Sequence, residues 1–225
     1  MNQYEYEYVV SRFREPARID ADWDKSSWMH VPALRLNHAM GEYPAHFPFT
    51  QLKMTYDNQS LVFIFRVEDQ FVRAVAKHHQ DAVYKDSCVE FFFTPGADSS
   101  HGYFNLEINC CGKMLFHFQK VPRQNSVSIT DDDIKAIDIA HSLPSIVEPE
   151  IVQTTVWTVE CRLPIENLWN YFPDLQIPAP GVHWKANFQK CADDSSHPHW
   201  LTWAKIDHPT PDFHRPQDFG TLVFE

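Results

Sequence analysis

The sequence lacks any run of apolar residues approaching the roughly 20 that a helix needs to cross a bilayer. Its first residues also lack a basic stretch followed by an apolar one, so no secretory signal peptide is recognised. We therefore expect a cytoplasmic protein with no membrane contact. An extracytoplasmic location is the alternative, if a leader has been removed ahead of Met1.

Basic residues are in deficit, with 19 Lys and Arg against 30 Asp and Glu, which gives a net charge of −11. Nucleic acids and anionic membranes attract basic surfaces, so we expect neither as a partner. The five cysteines show no spacing typical of a disulfide framework or a zinc site, and reduced thiols are expected. The sequence does not predict an oligomeric state.

Glycine is scarce, with 6 residues against 16 prolines, and none forms a phosphate-binding or dinucleotide-binding motif. No G-x-S-x-G nucleophile motif is present either, so nucleophilic catalysis has no support. Aromatic residues make up 14% of the chain and hydrophobic residues 44%, enough for a large core. Four tryptophans are predicted to lie in that core: Trp23, Trp28, Trp157 and Trp184.

Short segments of alternating apolar and polar residues recur along the chain and are separated by turn residues, a pattern that predicts β-strands. One short helix is predicted over residues 164–169, opened by a proline. We expect an all-β protein, an antiparallel β-sandwich of immunoglobulin-like or jelly-roll-like type, with residues 1–225 forming a single domain. The predicted strands cover residues 4–10, 34–36, 51–56, 60–67, 88–93, 103–109, 114–119, 154–163 and 182–191, with two short strands after residue 200.

The strand at residues 88–93 carries a carboxylate among apolar side chains. Side chains alternate along a strand, so Val89, Phe91 and Phe93 share one face and Glu90 lies on the other. Burying a charge without a partner is costly. Glu90 is therefore predicted to be paired in the core or to face a ligand.

Two other strands carry polar residues on the face opposite their apolar set. The strand at 103–109 places Glu107 and Asn109 there, and the strand at 182–191 places Asn187 and Gln189 there. Each sugar hydroxyl both donates and accepts hydrogen bonds, which carboxylate and amide side chains can match. Aromatic rings complete a sugar site by covering the apolar face of the sugar. The sequence offers three in loops or strand ends: Tyr84, Trp203 and Phe213.

An ordered set of motifs over residues 18–225 resembles carbohydrate-binding family 9. The set consists of IDADWDKSSW, TYDNQSLVFIFRVED, VYKDSCVEFFF, YFNLEINCCGK, TVECRLPIENL, HWKANFQKC and FHRPQDFG. The resemblance implies a β-sandwich that binds a mono- or oligosaccharide without cleaving it, with Tyr84 and Phe213 stacking on the sugar. It also implies hydrogen-bonding roles for five residues: Glu90, Glu107, Asn109, Asn187 and Gln189. Arg215 is predicted to anchor the closing loop through a carboxylate.

The chain departs from the family pattern at three of these positions. The family carries tryptophan where this chain has Tyr84 and Phe213, and arginine where it has Glu107. The identity of the sugar is therefore not carried over. No cofactor is predicted. Structural calcium is left open, with acidic residues at 57, 69, 131–133 and 193–194 as oxygen donors that lack an EF-hand spacing.

Three alternatives to sugar binding stay open at this point. Glu90 and Glu107 form a carboxylate pair of the kind that glycoside hydrolases use, so a hydrolase or an accessory component of carbohydrate catabolism is the main one. A zinc site could use His197 and His199 with Asp193 or Asp194. A haem site could use Met54 and His117, although their spacing does not support it.

Overall fold

The computed structural model describes residues 6–13 and 18–225. Its strands are β1 (Glu7–Arg12), β2 (Leu34–Arg35), β3 (His38–Ala39), β4 (Phe49–Tyr56), β5 (Ser60–Asp69), β6 (Val72–Ala74), β7 (Cys88–Thr94), β8 (Tyr103–Asn109), β9 (Met114–Gln119), β10 (Val127–Ser128), β11 (Asp138–His141), β12 (Val147–Ile151), β13 (Thr155–Pro164), β14 (His183–Cys191), β15 (Trp200–Thr202) and β16 (Gly220–Phe224). One α-helix, α1, spans Asp131–Lys135. Short 3-10 helices cover Ser26–Trp28, Val83–Lys85, Ser99–His101, Ile165–Leu168 and Pro216–Asp218.

The strands form two layers that share strand β1. The first layer runs in the order β10-β9-β8-β7-β14-β16, and the second runs β4-β5-β13-β11. The first half of β1 pairs in parallel with β16, and its last two residues pair in parallel with β4. The other neighbours within these two layers pair antiparallel. The predicted antiparallel sandwich is confirmed, with β1 as a parallel strand that links the two layers.

The core lies between the layers and is rich in aromatic rings. Phe91 of the first layer meets Phe63 of the second with ring centroids 5.5 Å apart, and Phe188 meets Phe65 at 6.2 Å. These rings meet edge-on, an arrangement that aromatic pairs prefer. Because each strand alternates, the same strands direct their other side chains to the outer faces of the sandwich.

The four predicted core tryptophans divide between two places. Trp157 and Trp184 are fully buried in the main core. Trp28 is also fully buried, but it packs with Trp23 on the outer face of the second layer. Trp23 is only partly buried, and the ammonium of Lys53 lies 4.3 Å from the centre of its ring.

The short helix predicted over residues 164–169 is confirmed in position and is a 3-10 helix. Pro164 ends β13, and a single 3-10 turn follows at Ile165–Leu168. The one α-helix among the described residues occupies residues 131–135, where no helix was predicted. The Thr130 side chain accepts a hydrogen bond from the main-chain N–H of Asp133, and three aspartates fill the first turn. Both features stabilise a helix N-terminus.

Some strand predictions shift at their ends. The predicted strand at 4–10 is observed as Glu7–Arg12, and residues 4 and 5 lie outside the described part of the chain.

Arg215 donates to the carboxylate of Asp218 at 2.7 Å, which confirms its predicted role in anchoring the closing loop. No helix in the described ranges is long and apolar enough to cross a membrane.

Candidate functional site

A cavity of about 500 Å³ opens on the outer face of the first layer. Its floor is formed by side chains of β7, β8, β9 and β14 that point away from the core. The floor residues are Glu90, Phe92, Asn105, Glu107, Leu115, His117, Gln119 and Cys191. The walls come from loops and from the start of β15, and comprise Tyr84, Arg123, Ser126, Asp193, Trp200, Pro211, Asp212, Phe213 and His214.

Strand register brings two carboxylates together on this floor. Glu90 of β7 lies directly opposite Glu107 of β8, and such cross-strand pairs have Cβ atoms about 5 Å apart. The two residues are 2% and 4% exposed. Because β7 pairs with both β8 and β14, the strands that carry Glu90, Glu107 and Gln189 are neighbours in one sheet.

Each of these carboxylates has one bonded oxygen and one free oxygen. The Sγ of Cys191 donates to Glu90 Oε1 at 3.0 Å, and the amide of Asn105 donates to Glu107 Oε1 at 3.0 Å. The Oε2 atoms of both glutamates are buried and have no hydrogen-bond partner among the described residues. An unsatisfied buried acceptor costs about 1–3 kcal/mol, so each oxygen is a favourable position for a donor from a ligand.

Burial shifts the protonation of both acids. Loss of hydration raises the pKa of Glu107 to about 7, and the nearby carboxylate of Asp193 adds to the rise. The pKa of Glu90 is also raised well above its ordinary value, mainly by burial and then by the neighbouring Cys191 and Glu107. Burial therefore favours the protonated form of both acids, and a positively charged or hydrogen-bond-donating group would favour their ionised form.

A chain of side-chain amides leads from Glu107 to the rim. Gln119 donates to Asn105 Oδ1 at 2.8 Å and to His214 Nδ1 at 3.1 Å. Since Nδ1 of His214 accepts from an amide, the ring is neutral and carries its proton on Nε2. Burial lowers the pKa of His214 to about 4, which agrees with a neutral ring.

Aromatic side chains line the cavity from three separate segments. Tyr84 lies in the 3-10 turn at Val83–Lys85 and is 37% exposed. Phe213 packs edge-on against Phe92 with centroids 6.5 Å apart and is 7% exposed. Trp200 also lines the cavity and donates from its indole N–H to Asp193 at 2.8 Å.

Four of the eight residues predicted to bind a ligand lie at the cavity: Tyr84, Glu90, Glu107 and Phe213. The other four do not line it. Trp203 packs against Phe188 with centroids 5.7 Å apart and belongs to the main core. Its indole also lies against Gly220. Trp203 is therefore not available to stack on a sugar in the cavity.

The three amides outside the cavity hold main-chain segments instead. Asn109 accepts from the N–H groups of Cys111 and Lys113 and organises the turn after β8. Asn187 exchanges hydrogen bonds in both directions with Ala204. Gln189 is fully buried, and its amide nitrogen donates to two main-chain carbonyls at 3.2 Å. These contacts use the groups that were expected to face a sugar.

Several residues of the cavity were not predicted to bind a ligand. Alternation places Asn105 on the same face of β8 as Glu107, as observed, although no role was assigned to it. Gln119 lies on the outer face of β9, where alternation could have identified it. Arg123, Asp212 and Trp200 come from loops and a strand end, where the sequence carries no periodic signal.

The acidic residues considered for calcium do not form a common site. Asp57 caps the β4–β5 turn, Asp69 is paired with His46 and Lys190, and residues 131–133 open α1. Among the described residues, the one group of three close donors is Cys88, Glu90 and Cys191, whose ligand atoms lie within 4.8 Å of one another. A set with two thiols does not suit calcium, which prefers oxygen ligands.

The two histidines considered for zinc already make contacts with other residues of the protein. His199 Nε2 lies 2.7 Å from the ammonium of Lys190, and its Nδ1 bonds to the carbonyl of His197 at 2.9 Å. The ring of His197 stacks on Phe71 with centroids 3.6 Å apart. The haem alternative also lacks support, because Met54 is buried in the main core while His117 lies on the outer face.

Comparison with known proteins agrees with the motif order. The sequence model of carbohydrate-binding family 9 matches residues 22–224. This chain belongs to carbohydrate-binding family 9. The predicted resemblance is thereby confirmed. No match was found among curated protein sequences.

Solved structures with a similar fold include a family 9 module. A proposed carbohydrate-binding protein from Bacteroides uniformis has 25% sequence identity and a TM-score of 0.87, with 97% of this chain and 99% of that chain covered. A family 9 module from Caldicellulosiruptor kristjanssonii was solved with cellotriose, at 16% identity and a TM-score of 0.66, covering 98% of this chain and 94% of that one. Its structure with glucose has 16% identity and a TM-score of 0.65, covering 98% and 96%.

Proposed function

We propose that this family 9 chain binds a mono- or oligosaccharide in the outer-face cavity and does so without cleaving it. The observation that carries the proposal is the pair of buried, unpartnered carboxylate oxygens on the floor of a cavity with aromatic walls. Its volume of about 500 Å³ falls within the range typical of small-ligand sites. Family 9 modules of C. kristjanssonii have been solved with cellotriose and with glucose, which supports the same ligand class here.

The roles follow from the positions of the side chains. Glu90 and Glu107 accept hydrogen bonds from the sugar through their free Oε2 atoms. Tyr84 and Phe213 cover the apolar faces of the sugar ring, and Trp200 extends the aromatic wall. The amides of Asn105 and Gln119 hold Glu107 in place, because they form a continuous hydrogen-bonded chain behind it.

A carbohydrate array followed by calorimetry tests this proposal. We expect binding by the parent protein and a loss of about fivefold or more in affinity for Tyr84→Ala and for Phe213→Ala, since loss of each ring removes aromatic contact worth about 1 kcal/mol or more. Tyr43→Ala is the matched control, because Tyr43 is 78% exposed and lies outside the cavity. If no saccharide binds, or if the three variants bind equally, the assignment of the cavity is wrong.

The glycoside hydrolase alternative stays a prediction. It requires the Glu90 and Glu107 pair to cleave a glycosidic bond, and release of a reducing sugar that Glu90→Gln abolishes would support it. A cytoplasmic location and the single domain over residues 1–225 also stay predictions.

A further inference from the structure

We infer that the sugar bound in the cavity carries a free amino group, with its ammonium nitrogen seated between Glu90 and Glu107. The inference rests on the proposed function and specifies its substrate class. The ligand is therefore a hexosamine, or an oligosaccharide that presents an unacetylated amine.

The charge of the cavity supports a cationic ligand. Four acidic side chains line it: Glu90, Glu107, Asp193 and Asp212. Among the described lining residues, the one Lys or Arg is Arg123. Its guanidinium donates twice to Asp212 Oδ1, at 2.7 and 3.1 Å, and its side chain is 61% exposed.

The basic groups nearest the floor are not available to the glutamates. Lys190 is fully buried in β14, but its ammonium pairs with Asp69 at 3.3 Å and with His199 at 2.7 Å. His214 is neutral, with Nδ1 accepting hydrogen bonds, and burial also lowers the pKa of His117. The two buried carboxylates therefore face the cavity without a compensating positive charge from the described residues.

The free oxygens suit an ammonium group. An ammonium has three N–H donors and no acceptor, and two of those donors match the two unpartnered Oε2 atoms. Hydrogen bonds between charged partners are roughly twice as strong as neutral ones. A hydroxyl can donate only one hydrogen bond and brings no charge, so a neutral sugar does not offset the cost of ionising the buried pair.

Calorimetry at pH 7 with three matched sugars tests the inference on the unmodified protein. The probes are glucosamine, glucose and N-acetylglucosamine, with chitobiose (fully deacetylated), cellobiose and diacetylchitobiose as a second set. We expect the free amine to bind at least tenfold more tightly than the hydroxyl or the acetamide in the same set. Glu107→Gln should lower the ratio of the affinity for the amino sugar to that for the neutral sugar at least tenfold, and Glu90→Gln should lower it too.

Glu166→Gln is the matched control, because Glu166 is exposed, lies in the turn after β13 and does not line the cavity. It should leave every affinity unchanged. Binding of glucose and cellobiose with no preference for the amine overturns this inference but leaves the proposed function standing. Failure of all six sugars to bind overturns this inference, and the proposed function also falls if no saccharide on the array binds. Because the comparison of sugars uses the parent protein, it decides the question even if a glutamate variant fails to fold.

Discussion

Replacing Glu107 by glutamine should make the protein more stable at neutral pH. Glu107 is 4% exposed, and burial raises its pKa from an ordinary value of 4.5 to about 7. Between these two values the folded protein binds more protons at this site than the unfolded chain does. Stability therefore falls as the pH rises from 4.5 through 7, and it does not fall further through this group above its folded pKa.

The size of the effect follows from that shift. Each pKa unit corresponds to about 1.4 kcal/mol, so a rise from 4.5 to about 7 is worth roughly 3 kcal/mol by pH 7. Glutamine has a similar shape, cannot ionise, and keeps an oxygen that can accept the hydrogen bond from Asn105. Glu107→Gln should therefore equal the parent protein near pH 4.5 and exceed it by about 3 kcal/mol at pH 8, which is roughly 6–12 °C in Tm for a chain of this size.

The assay is urea unfolding followed by tryptophan fluorescence, from pH 4.5 to pH 8, for the parent, Glu107→Gln and the exposed control Glu166→Gln. Buried histidines such as His214 change stability in the opposite direction over the acid part of this range, because the pKa of His214 is lowered to about 4. The difference between parent and variant cancels that contribution. Equal pH dependence of parent and Glu107→Gln, or a loss of stability in the variant at pH 8, would refute the reasoning.

Three further predictions concern the scaffold around the site. Lys190→Met removes the ammonium that faces the buried Asp69 and should cost about 3–5 kcal/mol in urea unfolding, as expected when one partner of a buried ion pair is lost. Burial lowers the pKa of His199 from 6.5 to about 3, so the neutral ring stabilises the fold near neutral pH, and this contribution is lost as the pH falls from 6.5 to 3. His199→Gln should therefore reduce the fall in the free energy of unfolding between pH 6.5 and pH 3. Gly220→Ala places a Cβ 2.8 Å from the indole of Trp203 and should cost about 1–3 kcal/mol.

Matched variants separate these effects from general damage. Lys185→Met lies on the same strand as Lys190, but its ammonium bonds to a threonine hydroxyl, so the cost should be below that of Lys190→Met. Gly96→Ala meets its nearest atom at 3.7 Å and should be close to neutral. Equal losses of stability in Lys190→Met and Lys185→Met, or in Gly220→Ala and Gly96→Ala, contradict the argument for that pair. An unchanged dependence of stability on pH below 6.5 in His199→Gln contradicts the argument for His199.

Alternation along the strands identified the central features of the site before the fold was known. The pattern around Glu90 placed Phe91 and Phe93 in the core and the carboxylate on the outer face, as observed. The same reasoning placed Glu107 on that face. These predictions hold because the two-residue period is a local property of an extended backbone, independent of what lies further along the chain.

Alternation does not show what covers a face. Asn187 and Gln189 lie on the same outer face as the two glutamates, but neither reaches the cavity. The segment after β15 packs over Asn187, and Ala204 satisfies both ends of its amide.

The sequence by itself determined the longer strands, their inward and outward faces, and the family to which the chain belongs. The tertiary structure alone decided which outward side chains remain open to a ligand. The physical reason is that the loops around the cavity, such as the one carrying Arg123 and the one carrying Asp212 and Phe213, pack by contacts between residues far apart in the sequence. Those contacts leave no periodic trace in the sequence, whereas strand faces do.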